Sequence, residues 1–155
     1  MEIAEIKKNK KKFLPLLLLA DEQESMIDRY LERGQMYALS DGGEVKTVCV
    51  VTDEGRGVLE IKNIATAPEH QKTGCGRAMI DFIVKRYRAE YAVLQVGTGE
   101  SPETLGFYES CGFHPSHRVK NFFTDNYDHP IYEGGVMLKD MIYLKMNLQE
   151  ENGDA

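Results

Sequence analysis

Cysteine is scarce in this chain of 155 residues, and the three present, Cys49, Cys75 and Cys111, are odd in number and far apart. No Cys-x-x-Cys pair occurs, so neither a zinc site nor a disulfide framework is indicated, and reduced thiols fit best. Long apolar runs are missing as well. The longest, Phe13 to Ala20, contains Pro15 and falls far short of the roughly 20 residues of a membrane span. The first residues lack the charged, apolar, then small order of a secretory signal, so a cytoplasmic protein with no membrane partner is expected. Basic excess is absent too. The net charge is −6, whereas a nucleic-acid binder shows a basic stripe, and no nucleic-acid partner is expected. The one basic cluster, Lys7, Lys8, Lys10, Lys11 and Lys12, reads as a solvated helix start or turn. His70, His114, His117 and His129 show no ligand spacing such as HExxH, and no metal is expected.

What remains is ordinary globular composition, 42% hydrophobic and 28% charged. One domain over residues 1–148 is expected, followed by a frayed tail over 149–155. Residues 2 to 6 suit a first strand. Leu14 to Ala20 and Glu24 to Arg33 read as helices, the second from Met26, Ile27, Tyr30 and Leu31 at helical spacing, with Gly34 as its stop. Met36 to Leu39 and Val45 to Val51 flank the turn Asp41-Gly42-Gly43, a hairpin signal. Val58 to Thr66 follows as a longer strand. A helix is expected from about Arg77 to Arg88, an apolar strand over Tyr91 to Val96, then a breaker-rich loop from Gly97 to Pro102. A short helix near Glu103 to Ser110 precedes two last strands, Phe113 to Phe123 and Val136 to Leu148.

The order predicts an α/β (α+β) fold: a mixed, mostly antiparallel sheet of about six to seven strands, with about four helices. The two strands flanking the Arg77 to Arg88 helix should be parallel, because a crossover helix joins them. Ligand sites in such units lie beyond the carboxyl ends of the strands. Gln71-Lys72-Thr73-Gly74-Cys75-Gly76 stands at that place. Glycines let the backbone approach a ligand closely, and free N–H groups at a helix start attract phosphate. The spacing is not a Rossmann fingerprint, and no Walker GxxxxGK[ST] occurs, which disfavours both nucleotide-binding classes.

The stretch from Asn63 to Ala78, containing Pro68 and Gln71-Lys72-Thr73-Gly74-Cys75-Gly76, resembles the acetyl-coenzyme A signature of the GNAT superfamily of N-acetyltransferases. About 30 residues later, Phe107-Tyr108-Glu109-Ser110-Cys111-Gly112-Phe113 is similar to the family's second signature, Phe-Tyr-x-x-x-Gly-Phe. The resemblance covers Val58 to Phe113 in detail. It implies the acyl-CoA N-acyltransferase fold, with the parallel pair splayed, and acetyl-coenzyme A as cosubstrate.

By that likeness the diphosphate would rest on the amides of Lys72, Thr73, Gly74, Cys75, Gly76 and Arg77, with Gln71 a further residue binding the cosubstrate. The pantetheine arm would lie along Ile64, Ala65 and Thr66, with Ser101 as a further contact. Tyr108 maps onto the acid that protonates the departing thiolate. Glu60 lies 11 residues before Gln71 and maps onto the strand glutamate that serves as base in one branch. Ser101 and Thr104 stand where many members carry Asn and Ala. The acceptor would be a primary amine of a small molecule or peptide, attracted by Asp125, Asp128 or Glu133. A homodimer is common in such proteins. The rival is a non-catalytic coenzyme A-binding or regulatory module of the same fold.

Overall fold

The computed structural model describes residues 1–149; the expected frayed tail, apart from Gln149, lies outside them. The chain runs β1 (Glu2–Ile6), a 3-10 turn (Lys10–Phe13), α1 (Leu14–Ala20), α2 (Glu24–Ile27), β2 (Gln35–Asp41), β3 (Glu44–Gly55) and β4 (Val58–Thr66). A second 3-10 turn (Pro68–His70) leads to α3 (Cys75–Tyr87), β5 (Val93–Gly99), α4 (Pro102–Ser110) and β6 (His114–Val119). α5 (Phe122–Asn126), β7 (Tyr132–Glu133), β8 (Val136–Met137) and β9 (Met141–Asn147) complete it. Seven strands form one sheet in the order β1-β2-β3-β4-β5-β9-β6, and β7 and β8 form a separate ribbon. Among the described residues only β4 and β5 pair in parallel, across the α3 crossover. The mixed, mostly antiparallel architecture expected from the sequence is the observed one.

Helices cover both sheet faces, which is why the central strands read as nearly continuous apolar runs. Alternate residues divide between two cores. Tyr37, Leu39, Cys49, Val51, Leu59 and Ile61 pack with Met79, Ile80 and Ile83 of α3. Met36, Ala38, Val48 and Val50 pack with Leu17 of α1 and with Ile27, Tyr30 and Leu31. Each buried Leu or Ile contributes about 1.5–3 kcal/mol.

Three stretches differ from the sequence reading. The helix expected over Glu24 to Arg33 stops at Ile27 and continues as turns, with Arg29 N–H donating to Met26 O and Tyr30 N–H to Ile27 O. Gly34 serves close packing there: a Cβ would lie 2.9 Å from Val51 O. The strand expected through Phe123 ends at Val119. Asn121 turns the chain at φ 58°, and α5 carries Phe123 into a small third core with Ile131 and Leu138. Val136 and Met137 belong to the ribbon, so the last strand starts at Met141.

Of the basic cluster, Lys7, Lys8, Lys11 and Lys12 are exposed as a solvated turn requires, and Lys10 is the exception. The ammonium of Lys10, 8% exposed, donates to Leu31 O at 2.9 Å and to Gly34 O at 2.8 Å. Lys11 pairs with Glu24 and Asp28, each at 2.6 Å. No helix among the described residues is long and apolar enough to cross a membrane.

Candidate active site

β4 and β5 stay in register from Val58↔Val93 to Ile61↔Val96, and no pairing between them continues beyond that point. The cause is visible in β4. The β3 partner shifts between Val50↔Asn63 and Val51↔Ile61, leaving Lys62 as an extra residue. Such a bulge bends its strand and re-aims the side chains around it. From Lys62 onward the β5-facing edge of β4 is therefore bare. A cleft of about 500 Å³ fills the gap, lined among others by Asn63, Ile64, Gln71, Gly97, Thr98, Thr104 and Tyr108.

Gly97 to Gly99, expected as loop, are the end of β5. Their missing side chains make room for the protein's own residues. A Cβ on Gly97 would lie 2.5 Å from Met141 Sδ and 3.0 Å from the Tyr143 ring, and one on Gly99 would overlap Leu138.

At one mouth of the cleft lies the loop before α3. Lys72 (φ 64°) and Gly74 (φ 89°) both adopt left-handed backbone, which swings the chain into the helix. The N–H groups of residues 72 to 77 have no acceptor among the described residues; the first helical bond is Ala78 N–H to Gly74 O at 2.9 Å. A row of unpaired donors at the positive end of a helix is a ready anion cradle. Gln71 Nε2 donates to Thr66 O at 3.1 Å, and Thr73 Oγ donates to His70 O, fixing the loop. Gly76 is held against Phe107, whose ring a Cβ would approach to 3.3 Å.

The side chains of the other residues singled out from the sequence have their own surroundings in the fold. The Cys75 side chain is buried in the core. The Arg77 guanidinium donates to Ser110 O at 3.0 Å and to Ser110 Oγ at 2.7 Å, tying α3 to α4. Ala65 is buried, Ile64 half-buried, and Thr66 Oγ shares a 2.9 Å hydrogen bond with Thr47 Oγ. Ser101 is the N-cap of α4, and its side chain makes no capping bond. The Lys72 ammonium and Glu103 of α4 stand 3.8 Å apart, so the two helix starts meet at this mouth.

Tyr108 projects from α4 into the cleft wall. Its ring makes edge contacts with Phe107 and Phe113, centroids 5.3 and 5.6 Å away. Burial, and after it the neighbouring Cys49, Cys111 and Glu133, hold its phenol far above the usual tyrosine range. The group therefore keeps its proton at neutral pH.

Glu60 sits elsewhere. It is 5% exposed and lines a second, smaller cavity with Tyr30, Arg29, Arg33 and Tyr143. Gln95 Nε2 donates to one oxygen at 2.7 Å, and Lys62 pairs with the other at 3.1 Å. Tyr143 beside it is pushed up to about 12, by burial first and then by the Glu60 charge. Ile61, Lys62 and Gly97 line both cavities, which makes them neighbours.

Of the three acids expected to draw an acceptor, only Glu133 lines the cleft, where it accepts from Thr104 Oγ. Asp125 and Asp128 are exposed, and Asp128 pairs with His129 at 2.6 Å. The sequence reading missed Asp21 and Glu22, which follow α1 and line the same cleft. Asp21 accepts from Tyr30 OH at 2.9 Å and from Tyr127 OH at 2.6 Å. Glu44, Glu69 and His70 also bring donor atoms within 4.8 Å of one another at the surface, a grouping that histidine spacing did not reveal.

Comparison with known proteins gives concordant results. A model of the acetyltransferase (GNAT) domain matches residues 32–115, from the turn after α2 to the start of β6. YvbK of Bacillus subtilis, an uncharacterised N-acetyltransferase, is 36% identical over 135 residues, 86% of this chain and 87% of that protein. A GNAT family acetyltransferase from Elizabethkingia anophelis, solved with acetyl-CoA bound, superposes with a TM-score of 0.89 at 34% identity, covering 94% of this chain and 97% of that one. A Bacillus subtilis acetyltransferase in complex with CoA gives a TM-score of 0.86 at 33% identity over 94% and 97%.

Proposed function

The chain belongs to the GNAT acetyltransferase family, and from that membership we propose that it moves the acetyl group of acetyl-coenzyme A onto a primary amine in a ternary complex. The observation that carries this reading is the run of unpaired N–H groups over residues 72 to 77, opening onto a cleft with Tyr108 in its wall. Two relatives above 30% identity hold acetyl-CoA or CoA.

The amides of residues 72 to 77 bind the diphosphate by charge-assisted hydrogen bonds. The bare edge of β4 from Asn63 to Thr66 takes the pantetheine arm as an added strand, and a main-chain N–H there polarises the thioester carbonyl. The bound cosubstrate supplies the activated acetyl group. The cleft holds the amine against it, which alone can lower the barrier by about 7–11 kcal/mol. As the N–C bond forms and the C–S bond breaks, Tyr108 gives its proton to the leaving sulfur. The amine's surplus proton leaves toward Glu60. Because Glu60 lies in the adjoining cavity with both oxygens engaged, water carries that proton across the wall formed by Ile61 and Lys62.

The test is calorimetric titration of coenzyme A into the folded protein, followed by thiol release from acetyl-CoA across an amine panel. Micromolar binding and release with at least one amine are expected. Binding with no release on any amine would favour the non-catalytic module. Glu60→Gln is expected to lower kcat roughly 10²-fold, at the low end for a lost acid–base group. A kcat within a factor of two of the parent would rule Glu60 out as base.

A further inference from the structure

Beyond the diphosphate loop, the charge on the cleft wall is one-sided. Asp21, Glu22 and Glu133 line it, and its one cation, Lys62, is paired with Glu60. Asp21 is the unusual member. It sits where the main cleft and the second cavity meet. Tyr127 OH donates to one oxygen and Tyr30 OH to the other, so the carboxylate is held in a fixed orientation from two elements. With a further bond from the Gln23 backbone N–H, these still leave room for another donor, since each carboxylate oxygen offers about two lone pairs. No Lys or Arg forms an ion pair with Asp21 among the described residues; Arg29 acts on it only from a distance, its guanidinium donating to Asn126 Oδ1 at 3.3 Å.

A half-buried carboxylate without a counter-ion is costly unless a ligand supplies one. A second observation points the same way. Asn63, 3% exposed and in the same wall, gives its side-chain N–H groups to Leu17 O at 3.0 Å and Tyr30 OH at 3.1 Å, while its side-chain oxygen has no partner. That oxygen is sealed inside the wall, so it adds to the wall's unpaired acceptor character without itself meeting a ligand. The cleft wall is therefore rich in acceptors, its lysine is already paired with Glu60, and it is supplied with aromatic walls, Phe123, Tyr127 and Tyr132.

We propose that the acceptor is a dication: one amine is acetylated, and a second ammonium, which keeps its charge, docks on the Asp21 carboxylate. Asp21 is the specificity-determining residue, and Tyr30 and Tyr127 are positioning residues that act through it. The second ammonium belongs in the main cleft, because the smaller cavity carries Arg29 and Arg33. Aromatic faces around an ammonium add to its attraction. This inference rests on the acetyl-transfer reading above.

The full chain should be assayed by thiol release with acetyl-CoA and straight-chain diamines of four to six carbons, the matching monoamines and the matching amino alcohols. The diamines should exceed both controls in kcat/KM by ~10–100-fold, the worth of a hydrogen bond to a charged group. Asp21→Asn should shrink that advantage by a similar factor through KM rather than kcat. Tyr127→Phe, which keeps the carboxylate but frees it, should fall between. Coenzyme A titration certifies that each variant still folds its cleft. Equal use of diamine and monoamine, or an advantage that survives Asp21→Asn, overturns the proposal and leaves acetyl transfer standing. Thiol release with none of the amines here and none of the broader panel overturns both.

Discussion

Replacing Tyr108 with Phe is expected to lower kcat about 100-fold, the low end of the range for loss of a general acid, with coenzyme A affinity unchanged. The substitution is clean because the ring does the packing. Its edge contacts with Phe107 and Phe113 remain, and among the described residues its hydroxyl makes no hydrogen bond whose loss could disturb the fold. The melting midpoint should stay with that of the parent. The phenol's high proton affinity, set first by burial, means the proton is present throughout the neutral range. A thiolate leaving without that proton must take it from water, a weaker acid that nothing positions at the sulfur. Single-turnover measurement separates the chemical step from product release. A single-turnover rate within a factor of two of the parent would show that Tyr108 only packs.

The parts of this protein that could be read from its sequence are those where chemistry is local. Gln71 to Gly76 betrayed an anion-binding turn because glycine, a strand end and a helix start lie within a few residues of each other. The parallel pair followed from the crossover helix. What could not be read depends on distant chain segments meeting. Asp21 gains its meaning from Tyr127, 106 residues later. Asp125 and Asp128 looked like acceptor contacts, but the path of their segment is set by Phe123, Ile131 and Leu138 packing together, which turns both acids outward. Gly97 and Gly99 looked like loop because a strand rarely spends glycines. Their reason lies in β9 and the chain just before it, where Met141 and Leu138 need the room. Glu60 had a spacing that suggested a base, yet only the sheet could show Gln95 and Lys62 holding it in a separate cavity.

The same contrast governs the basic cluster, where neighbouring lysines should respond very differently. Lys10→Met is expected to lower stability by roughly 2–3 kcal/mol, since two buried carbonyls, each costing about 1–3 kcal/mol when unpaired, lose their shared donor. Part of that loss is offset, because the ammonium itself no longer has to leave water. For a domain of this size each kcal/mol moves the midpoint by about 2–4 °C, so a fall of about 5–10 °C should appear in a thermal melt. Lys11→Met, at an exposed side chain that pairs with Glu24 and Asp28, should leave the midpoint close to that of the parent. The functional consequence separates as well. Lys10 clamps the turns between Ile27 and Gly34 that carry Tyr30, and Tyr30 holds Asp21. Loosening that clamp should raise KM for the acceptor while the amides of residues 72 to 77, across the sheet, keep their grip on coenzyme A. A Lys10→Met protein that melts within about 2 °C of the parent would mean that water reaches those carbonyls, and that the acceptor wall is not anchored in this way.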